Sequence, residues 1–244
     1  MAREIKRHFI LHIGPTNSGK TYNALQAYKQ ALNGVYLAPL RLLAFEVFEK
    51  LNMENIPCDM LTGEEEIRIP NKPCEKCVTD ITEIKGKDGK LYTSVIFDCF
   101  DVTALGISMD TNMKAELCVE TVKNAVKSYP KLKGAILHSD RGSQYTSEKY
   151  REALKHAGFV QSMNSAGGRC HDNARCESMW ARMKEELFYS RNRKSEDYTV
   201  AELKTVIWRY YMSYWNNRRI CSANGGLPPA VKRKRYYESL VSAA

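Results

Sequence analysis

The sequence predicts an α/β protein in two segments, and three observations support that class. An apolar run, a glycine-rich loop and a helical pattern open the chain, in the order typical of a βαβ unit. Further on, two β-prone runs are joined by an Asp-Gly turn, after which helical and apolar runs alternate. A chain of 244 residues is long enough for two modest domains, each with its own core.

The first segment is predicted to contain two strands and two helices around one loop. In order, these are strand 8–13, loop 14–20, helix 21–32, strand 35–37 and helix 40–51. An acidic turn at residues 62–66 ends the pattern. Residues 68–73 hold two prolines without periodicity, so we expect a first domain at 1–68, a linker at 69–73 and a second domain at 74–244.

The second segment is predicted to begin with a β-hairpin and to continue as a mixed sheet with flanking helices. The predicted strands are 78–84, 91–97, 105–109 and 134–137, and the predicted helices are 115–128 and 147–157. The Gly-Lys-Asp-Gly turn at 86–89 is a strong hairpin signal. Thr146 or Ser147 is expected to cap the second of these helices.

The net charge of +9 comes entirely from the second segment. Residues 1–68 hold eight basic and eight acidic side chains, whereas residues 69–244 hold 29 and 20, a difference of nine. A basic excess confined to one region is the electrostatic pattern of a protein that binds a polyanion such as DNA. An ordinary solvated basic face is an equally open interpretation.

The composition indicates a cytoplasmic protein. No stretch approaches the roughly 18 consecutive apolar residues of a membrane span, and no small-residue cleavage site follows the basic start of the chain. The eight cysteines are scattered, as free thiols are in a reducing compartment. Cys74 and Cys77 form one C-x-x-C, but Cys170, His171 and Cys176 follow at irregular spacing, so we do not expect a zinc site.

Residues 14–21 match the phosphate-binding pattern G-x-x-x-x-G-K-[ST], placed after a predicted strand and before a predicted helix. In such a loop the backbone around Gly14 and Gly19 cradles phosphates. Lys20 would neutralise the outer phosphates, and Thr21 would reach Mg²⁺. The sequence therefore offers a candidate nucleotide-binding site in the first segment.

This loop and two further stretches, residues 36–44 and 61–65, resemble the first motifs of ATP-dependent RNA helicases of the mitochondrial-degradosome type. The resemblance covers residues 8 to about 68 and implies ATP as a ligand of the loop. A working helicase also needs an apolar strand ending in Asp-Glu and a second RecA-like domain, and neither is evident in the sequence. Nucleotide binding is therefore open, with a weakly binding remnant as the alternative, and unwinding is not expected.

Three acidic residues of the second segment stand in unusual positions. Asp80 lies within an apolar strand, where a charged side chain is costly. Asp140 follows a short apolar strand, and Glu177 begins a helix for which Asp172 and Asn173 are candidate caps. Any one of them taken alone fits a surface or capping acid, so their interpretation depends on the joint pattern.

Five phrases of this segment occur in the order and approximate spacing of one family. They are T-D-I-T at 79–82, H-S-D-R-G-S-Q-Y-T-S at 138–147, D-N-A-R-C-E-S at 172–178, Y-W-N-N-R-R at 214–219 and G-G-L-P-P at 225–229. They resemble the DDE transposases of IS-three-group insertion sequences and the catalytic cores of retroviral integrases. The resemblance implies a ribonuclease-H-like fold that cuts and joins DNA strands, with transposon ends and target DNA as partners and a homo-oligomer as the active form.

The resemblance also implies roles for individual residues. Asp80, Asp140 and Glu177 would hold two Mg²⁺ or Mn²⁺ ions, because hard cations require oxygen ligands. Lys184, two helical turns after Glu177, would contact a DNA phosphate near the reacting end. Four further basic residues are expected to contact DNA, namely Arg141, Arg182, Lys232 and Arg233. For the last two, an ordinary solvated run is the alternative.

The leading hypothesis is a DDE recombinase core fused to an incomplete P-loop segment. One alternative is an ATP-binding, helicase-like protein that acts on RNA or DNA through the P-loop. The other is an inert fusion product that only binds nucleic acid. In each case Trp208, Tyr211 and Trp215 recur at helical spacing, and we expect them to pack in the core instead of stacking on bases.

Overall fold

A computed structural model of the chain divides into two compact units, Met1–Arg68 (unit 1) and Ile69–Ala244 (unit 2). It describes residues 13, 15, 19–31, 34–54, 56, 58–63, 66–67, 72–163 and 174–242. The division falls at the start of the predicted linker. None of the helices in these ranges is both long and apolar enough to cross a membrane.

The described part of unit 1 contains two helices and one very short hairpin. The helices are α1 (Lys20–Gln30) and α2 (Arg41–Met53), and the hairpin pairs β1 (Met60–Leu61) with β2 (Glu66–Ile67). Both helices agree with the prediction to within two residues at each end. Among the described residues of this unit, the buried side chains of Leu25, Val47 and Leu51 pack together as a core cluster.

The second strand predicted for unit 1 is wrong. Residues 35–37 belong to no strand, and the side chains of Val35 and Leu37 are 82% and 87% exposed. A strand is held in place by hydrogen bonds to its neighbours. Within the described part of the chain no strand lies beside this stretch. The predicted first strand, residues 8–13, lies outside the described residues except for Ile13.

Unit 2 is built on a five-stranded mixed sheet. Its strands are β3 (Lys76–Lys85), β4 (Lys90–Asp98), β5 (Ala104–Asp110), β6 (Ile136–Ser139) and β7 (Val160–Met163). They lie in the order β5-β4-β3-β6-β7. Strands β3, β4 and β5 are antiparallel, whereas β6 runs parallel to β3 and β7 parallel to β6. Strand β3 is therefore central, with an antiparallel neighbour on one side and a parallel neighbour on the other.

Helices cover both faces of this sheet. They are α3 (Ala115–Ser128), α4 (Ser143–Thr146), α5 (Glu148–Ala157), α6 (Ala174–Leu187), α7 (Val200–Arg209) and α8 (Pro229–Ser242), with a π-helix at Tyr210–Trp215. Single 3₁₀ turns lie at Pro130–Leu132, Tyr189–Arg191, Ser195–Asp197 and Ser222–Asn224. The hydroxyl oxygen of Ser147 accepts a hydrogen bond from the Tyr150 backbone N–H, so Ser147 is the predicted cap of α5.

The predicted mixed α/β class is confirmed, and most elements of unit 2 fall within two residues of their predicted positions. Strand β6 begins two residues later than predicted, because Gly134 is in a turn with a φ of 88°. Strand β7 was not predicted. Its four residues, Val-Gln-Ser-Met, are too few and too polar to show a strand pattern.

The central strand sends alternate side chains into two cores. Val78 packs into a cluster with α6, α7 and the π-helix, whereas its neighbour Cys77 packs into a second cluster with α3 and α5. This alternation is the two-residue period of a strand that is buried on both faces. We call the first side of the sheet the α6 face and the second the α3 face.

Helix α3 lies unusually close to the sheet at Gly106 in β5. A Cβ atom added at Gly106 would lie 2.6 Å from the backbone nitrogen of Ala125 and 2.7 Å from the carbonyl oxygen of Thr121. No side chain fits at such distances without movement of the helix backbone. The absence of a side chain at this position therefore sets the spacing between α3 and the sheet.

The predicted core role of three aromatic residues is right for two of them. Tyr211 and Trp215 are fully buried on the α6 face, with 0% and 1% exposure. Trp208 is 51% exposed, so its core assignment is wrong. The π-helix begins at Tyr210 and has a wider turn than an α-helix, so the spacing from Trp208 to Tyr211 does not place them on one side.

Candidate active site

Asp80 lies in the middle of the central strand and faces α6. It pairs with Val95 across the antiparallel β3–β4 ladder, and Val95 is buried on the α6 face. Asp80 is two residues beyond Val78, so the pleat of the strand directs both side chains to the same side. The central strand thus brings one carboxylate into a largely apolar face of the sheet.

Asp140 follows directly after β6, the parallel neighbour of β3. The last pair in this ladder is Val78 with His138, and Asp80 and Asp140 each lie two residues beyond it. Adjacent strands are about 4.8 Å apart, so Asp140 leaves the end of the strand that runs beside the Asp80 strand. The carboxylate of Asp140 also accepts a hydrogen bond from the Gly142 backbone N–H at 2.9 Å.

Helix α6 carries the third predicted carboxylate, Glu177, in its first turn. The indole Nε1–H of Trp180, three residues further along, donates a hydrogen bond to Oδ2 of Asp80 at 3.2 Å. Residues three apart lie on one side of a helix. The contact of Trp180 with Asp80 therefore places the exposed side chain of Glu177 close to the same part of the sheet.

The surroundings of Asp80 raise the pKa of its carboxyl. Burial is the main influence on Asp80 and raises its pKa from 3.8 to about 6. Hydrogen bonds from the Ile81 backbone and the Trp180 indole oppose this rise, and the charges of Asp140 and Glu177 add to it. Asp140 and Glu177 therefore lie near enough to Asp80 for their charges to act on it, although burial has the larger effect.

The donor atoms of this neighbourhood suit a hard divalent cation. All three side chains offer carboxylate oxygens, which are the ligands that Mg²⁺ and Mn²⁺ prefer. Throughout the described ranges, however, no group of three or more His, Cys, Asp and Glu side chains is gathered closely enough to hold a metal ion. The three carboxylates fit the ion by the chemistry of their oxygens, but in this arrangement they are not gathered closely enough to hold it.

His138 and Ser162 connect the strands beside the two aspartates. The imidazole Nδ1 of His138 lies 2.9 Å from the hydroxyl oxygen of Ser162 on β7, and His138 is buried. The pair ties the end of β6 to β7. Its position agrees with a structural role for His138 at the strand end.

Lys184 lies further along α6, toward the hairpin end of β3. The pKa of the Glu83 carboxyl is lowered mainly by a hydrogen bond from Lys90, with a smaller contribution from the ammonium group of Lys184. Arg141 follows Asp140 directly, Arg182 lies five residues after Glu177, and both are exposed. DNA contacts by these three residues stay predictions.

Lys232 and Arg233 make contacts within unit 2 that stabilise its fold. The guanidinium of Arg233 donates to both carboxylate oxygens of Asp101, at 2.7 and 2.9 Å, and also to Asp98. Both aspartates are fully buried, and the Arg233 side chain is only 11% exposed. The ammonium of Lys232 donates to the backbone carbonyl of Phe100 at 2.8 Å. These contacts occupy the two side chains and do not support the predicted DNA contacts.

The phosphate-binding loop of unit 1 is described only in part. Gly14 lies outside the described residues. Gly19 has a left-handed φ of 76° and precedes Lys20, the first residue of α1. The ammonium group of Lys20 donates to the backbone carbonyl of Pro15, and Thr21 is exposed. Their predicted role in nucleotide binding stays a prediction.

Trp180 is the site residue that the sequence did not reveal. It lies 100 positions from Asp80 in the chain, and an aromatic residue inside an amphipathic helix is normally a core residue. The one available signal was its place three residues after Glu177. That spacing puts any polar atom of its ring on the side of the helix that carries the carboxylate.

The sheet order, with its antiparallel and parallel halves and its helices on both faces, is that of a ribonuclease-H-like fold. Within this class, residues 70–169 match the family model of the integrase core domain. Residues 1–100 match the family model of the DEXQ-box helicase domain of Suv3. The helicase match extends beyond the predicted limit of residue 68 and overlaps the integrase match over residues 70–100, which include strands β3 and β4 of unit 2.

Two sequence relatives, a helicase and a transposase, correspond to the two family models. The first is the mitochondrial DExH-box ATP-dependent RNA helicase DExH18 of Arabidopsis thaliana, 30% identical over 238 residues, which are 96% of this chain and 27% of the helicase. The second is the Escherichia coli protein named as transposase InsK of insertion sequence element IS150, 34% identical over 166 residues. That match covers 68% of this chain and 56% of the transposase.

A solved structure supports the fold of unit 2. The simian T-cell lymphotropic virus intasome, in complex with a PP2A regulatory subunit, matches with a TM-score of 0.50 at 14% identity. The match covers 72% of this chain and 62% of that chain. At this identity the likeness concerns the fold alone. In each of these three comparisons the chain spans less than two thirds of the length of the protein it matches.

Proposed function

We propose that unit 2 is a polynucleotidyl transferase that cleaves DNA strands and joins them to a target, as transposases and integrases do. The observation that carries this proposal is the placement of Asp80, Asp140 and Glu177 around one strand. Asp80 lies in β3, Asp140 follows directly after the parallel neighbour β6, and Glu177 is on the helix whose Trp180 contacts Asp80. The match to the integrase core domain and to an insertion-sequence transposase supports the same reaction class.

Asp80, Asp140 and Glu177 would hold two Mg²⁺ or Mn²⁺ ions. When bound, such ions stabilise charge on the attacking and leaving oxygens of a phosphodiester. The Glu177 side chain is exposed, whereas Asp80 is held by hydrogen bonds from the Ile81 backbone and the Trp180 indole. We therefore propose that Glu177 completes the ion-binding site when the ions bind.

Electrostatic attraction would bring the DNA to this site. Unit 2 has a basic excess of nine, and Lys184 and Arg182 follow Glu177 on the same helix. In the first step, water attacks a phosphate at the end of the mobile DNA and leaves a free 3′-hydroxyl. In the second step, that hydroxyl attacks a phosphate of the target, and the target's own 3′-oxygen leaves. A homo-oligomer would hold the two DNA ends together.

The test is strand transfer by the purified full chain on pre-cut duplexes with a free 3′-hydroxyl, using a library of randomised end sequences. Joined product is expected with Mg²⁺ or Mn²⁺ and not with EDTA. Asp140→Asn should abolish it, because the amide loses the charge that holds the cation. Asp110→Asn, at an exposed aspartate that ends β5, is the matched control and should leave the product unchanged.

Lys20→Ala completes the experiment, because it tests whether DNA joining depends on the phosphate-binding loop of unit 1. Product that persists in Lys20→Ala and disappears in Asp140→Asn supports the transferase. Joining that survives Asp140→Asn would refute it. Binding of the duplexes without joining under any metal would leave unit 2 as a nucleic-acid-binding remnant and would also refute the proposal.

Nucleotide binding by unit 1 is a second candidate function, favoured by the match of residues 1–100 to the Suv3 helicase domain. Lys20 begins α1, and a helix N-terminus with its free N–H groups favours phosphate. Titration of the chain with a fluorescent ATP analogue tests this function. Lys20→Ala should weaken binding, whereas Lys50→Ala, at an exposed lysine of α2, should not. Equal affinity in both variants would exclude the loop as the binding site.

A further inference from the structure

The indole N–H of Trp180 makes a polar contact within an otherwise aromatic cluster. Trp180 is 5% exposed, and its ring packs edge-on against Phe97 and Tyr211, with centroids 5.9 and 5.8 Å apart. Its Nε1–H does not point into this cluster but toward the strand, where it meets Oδ2 of Asp80 at 3.2 Å. An indole nitrogen can only donate, so a carboxylate oxygen suits it as a partner.

The rings behind Trp180 restrict its movement. Tyr211 is fully buried in the π-helix, and its hydroxyl donates to the backbone carbonyl of Met179, at 3.3 Å. That bond joins the π-helix to α6 one residue before Trp180. The indole is therefore held by packing on two sides and by the anchored backbone, so the direction of its N–H is determined by the fold.

The same helix carries Glu177, one turn before Trp180. A rotation or shift of α6 that moves Glu177 must also move the indole N–H. The hydrogen bond to Asp80 therefore couples the orientation of one proposed cation ligand to the position of another. The Asp80 carboxylate retains further lone pairs for a cation, because a carboxylate can accept about four bonds in all.

We propose that Trp180 is a positioning residue, which orients the Asp80 carboxylate for the cation and keeps that orientation in step with the helix bearing Glu177. This inference rests on the proposed function. Partners that hydrogen-bond to metal ligands typically contribute about 10–100-fold to metal affinity. A loss of that size is expected when the N–H is removed and the ring is kept.

The first experiment is calorimetric titration of the full chain with Mn²⁺, comparing Trp180→Phe with Trp215→Phe. Trp215 is a matched control, since it is as buried as Trp180, packs on the same Phe97 ring and donates its own N–H to the Val102 carbonyl at 2.7 Å. Trp180→Phe should raise the Mn²⁺ dissociation constant about 10–100-fold. Trp215→Phe should leave it unchanged, although both variants lose stability.

A spectroscopic readout is independent of affinity. The chain has three tryptophans, so a ¹⁵N-labelled sample shows three indole N–H signals, and the one lost in Trp180→Phe is that of Trp180. This signal should shift on Asp80→Asn and on addition of Mg²⁺, whereas the Trp215 signal should not.

Three results would overturn the inference. Trp180→Phe that binds Mn²⁺ as tightly as Trp215→Phe, or a Trp180 signal indifferent to Asp80→Asn, refutes the positioning role and leaves the proposed function intact. A wild-type chain that binds neither Mn²⁺ nor Mg²⁺ refutes the proposed function, and the inference with it.

Discussion

Replacing Asp80 by asparagine should stabilise the metal-free protein at neutral pH. The folded protein raises the pKa of this carboxyl from 3.8 to about 6, so keeping it ionised costs free energy on folding. A rise from 3.8 to about 6 corresponds to about 3 kcal/mol at 1.36 kcal/mol per pKa unit. The amide of asparagine is never charged, and its oxygen can still accept the bond from Trp180.

The size of this stabilisation by Asp80→Asn depends on pH. The folded state holds the Asp80 proton more tightly than the unfolded state, so the wild type is most favoured below pH 3.8 and loses this contribution as pH rises through about 6. The stability difference between Asp80→Asn and the wild type should thus be near zero at pH 3.8 and below. It should grow to its full value above about pH 6.

Urea unfolding at a series of pH values in EDTA measures this difference. Asp110→Asn is the control, because Asp110 is exposed and its side chain also accepts a backbone N–H, that of Thr111. A stability difference that is the same at acid and neutral pH would refute the electrostatic argument. So would an Asp80→Asn variant that is less stable than the wild type at pH 8 in EDTA.

The remaining predictions concern packing, a buried ion cluster and a cation. Gly106→Ala should destabilise unit 2 by about 1–3 kcal/mol in urea unfolding, because its methyl group would overlap the backbone of Ala125. Arg233→Met should cost about 3–5 kcal/mol in the same assay, since it leaves the buried Asp98 and its neighbouring aspartate without a cation. Trp208→Ala should change stability by no more than about 0.5 kcal/mol, as expected for an exposed side chain. Saturating Mg²⁺ should raise the melting temperature of the wild type, and an unchanged value in thermal scans would argue against a cation site.

The elements of unit 2 could be predicted because their local patterns agree with their final environment. Strand β3 buries side chains on both faces because it is central, and the Asp-Gly turn at 88–89 sets its pairing with β4. Helix α3 was predicted at the residues where it forms, since its apolar spacing matches the face that it buries. In both cases short-range sequence and long-range packing favour the same structure.

Contacts between distant residues could not be predicted in this way. The run of basic residues around Arg233 is typical of an exposed surface. Only the fold reveals that two buried aspartates, more than 130 residues earlier in the chain, pair with the guanidinium of Arg233. The bond from Trp180 to Asp80 is hidden for the same reason. The strand predicted at 35–37 is the opposite case, because its local pattern is favourable and yet no strand lies beside it in the described part of the chain.

The ion cluster of Arg233 has a consequence for dissecting the protein. Helix α8 is the last described element of the chain and looks like a basic tail that could be trimmed without harm. Removal of α8 would instead remove Arg233 and leave the buried carboxylates of Asp98 and Asp101 without their cation, inside the body of unit 2. A shortened version that stops before residue 229 should therefore be strongly destabilised, so loss of DNA joining in such a version would report misfolding and not a lost contact with DNA.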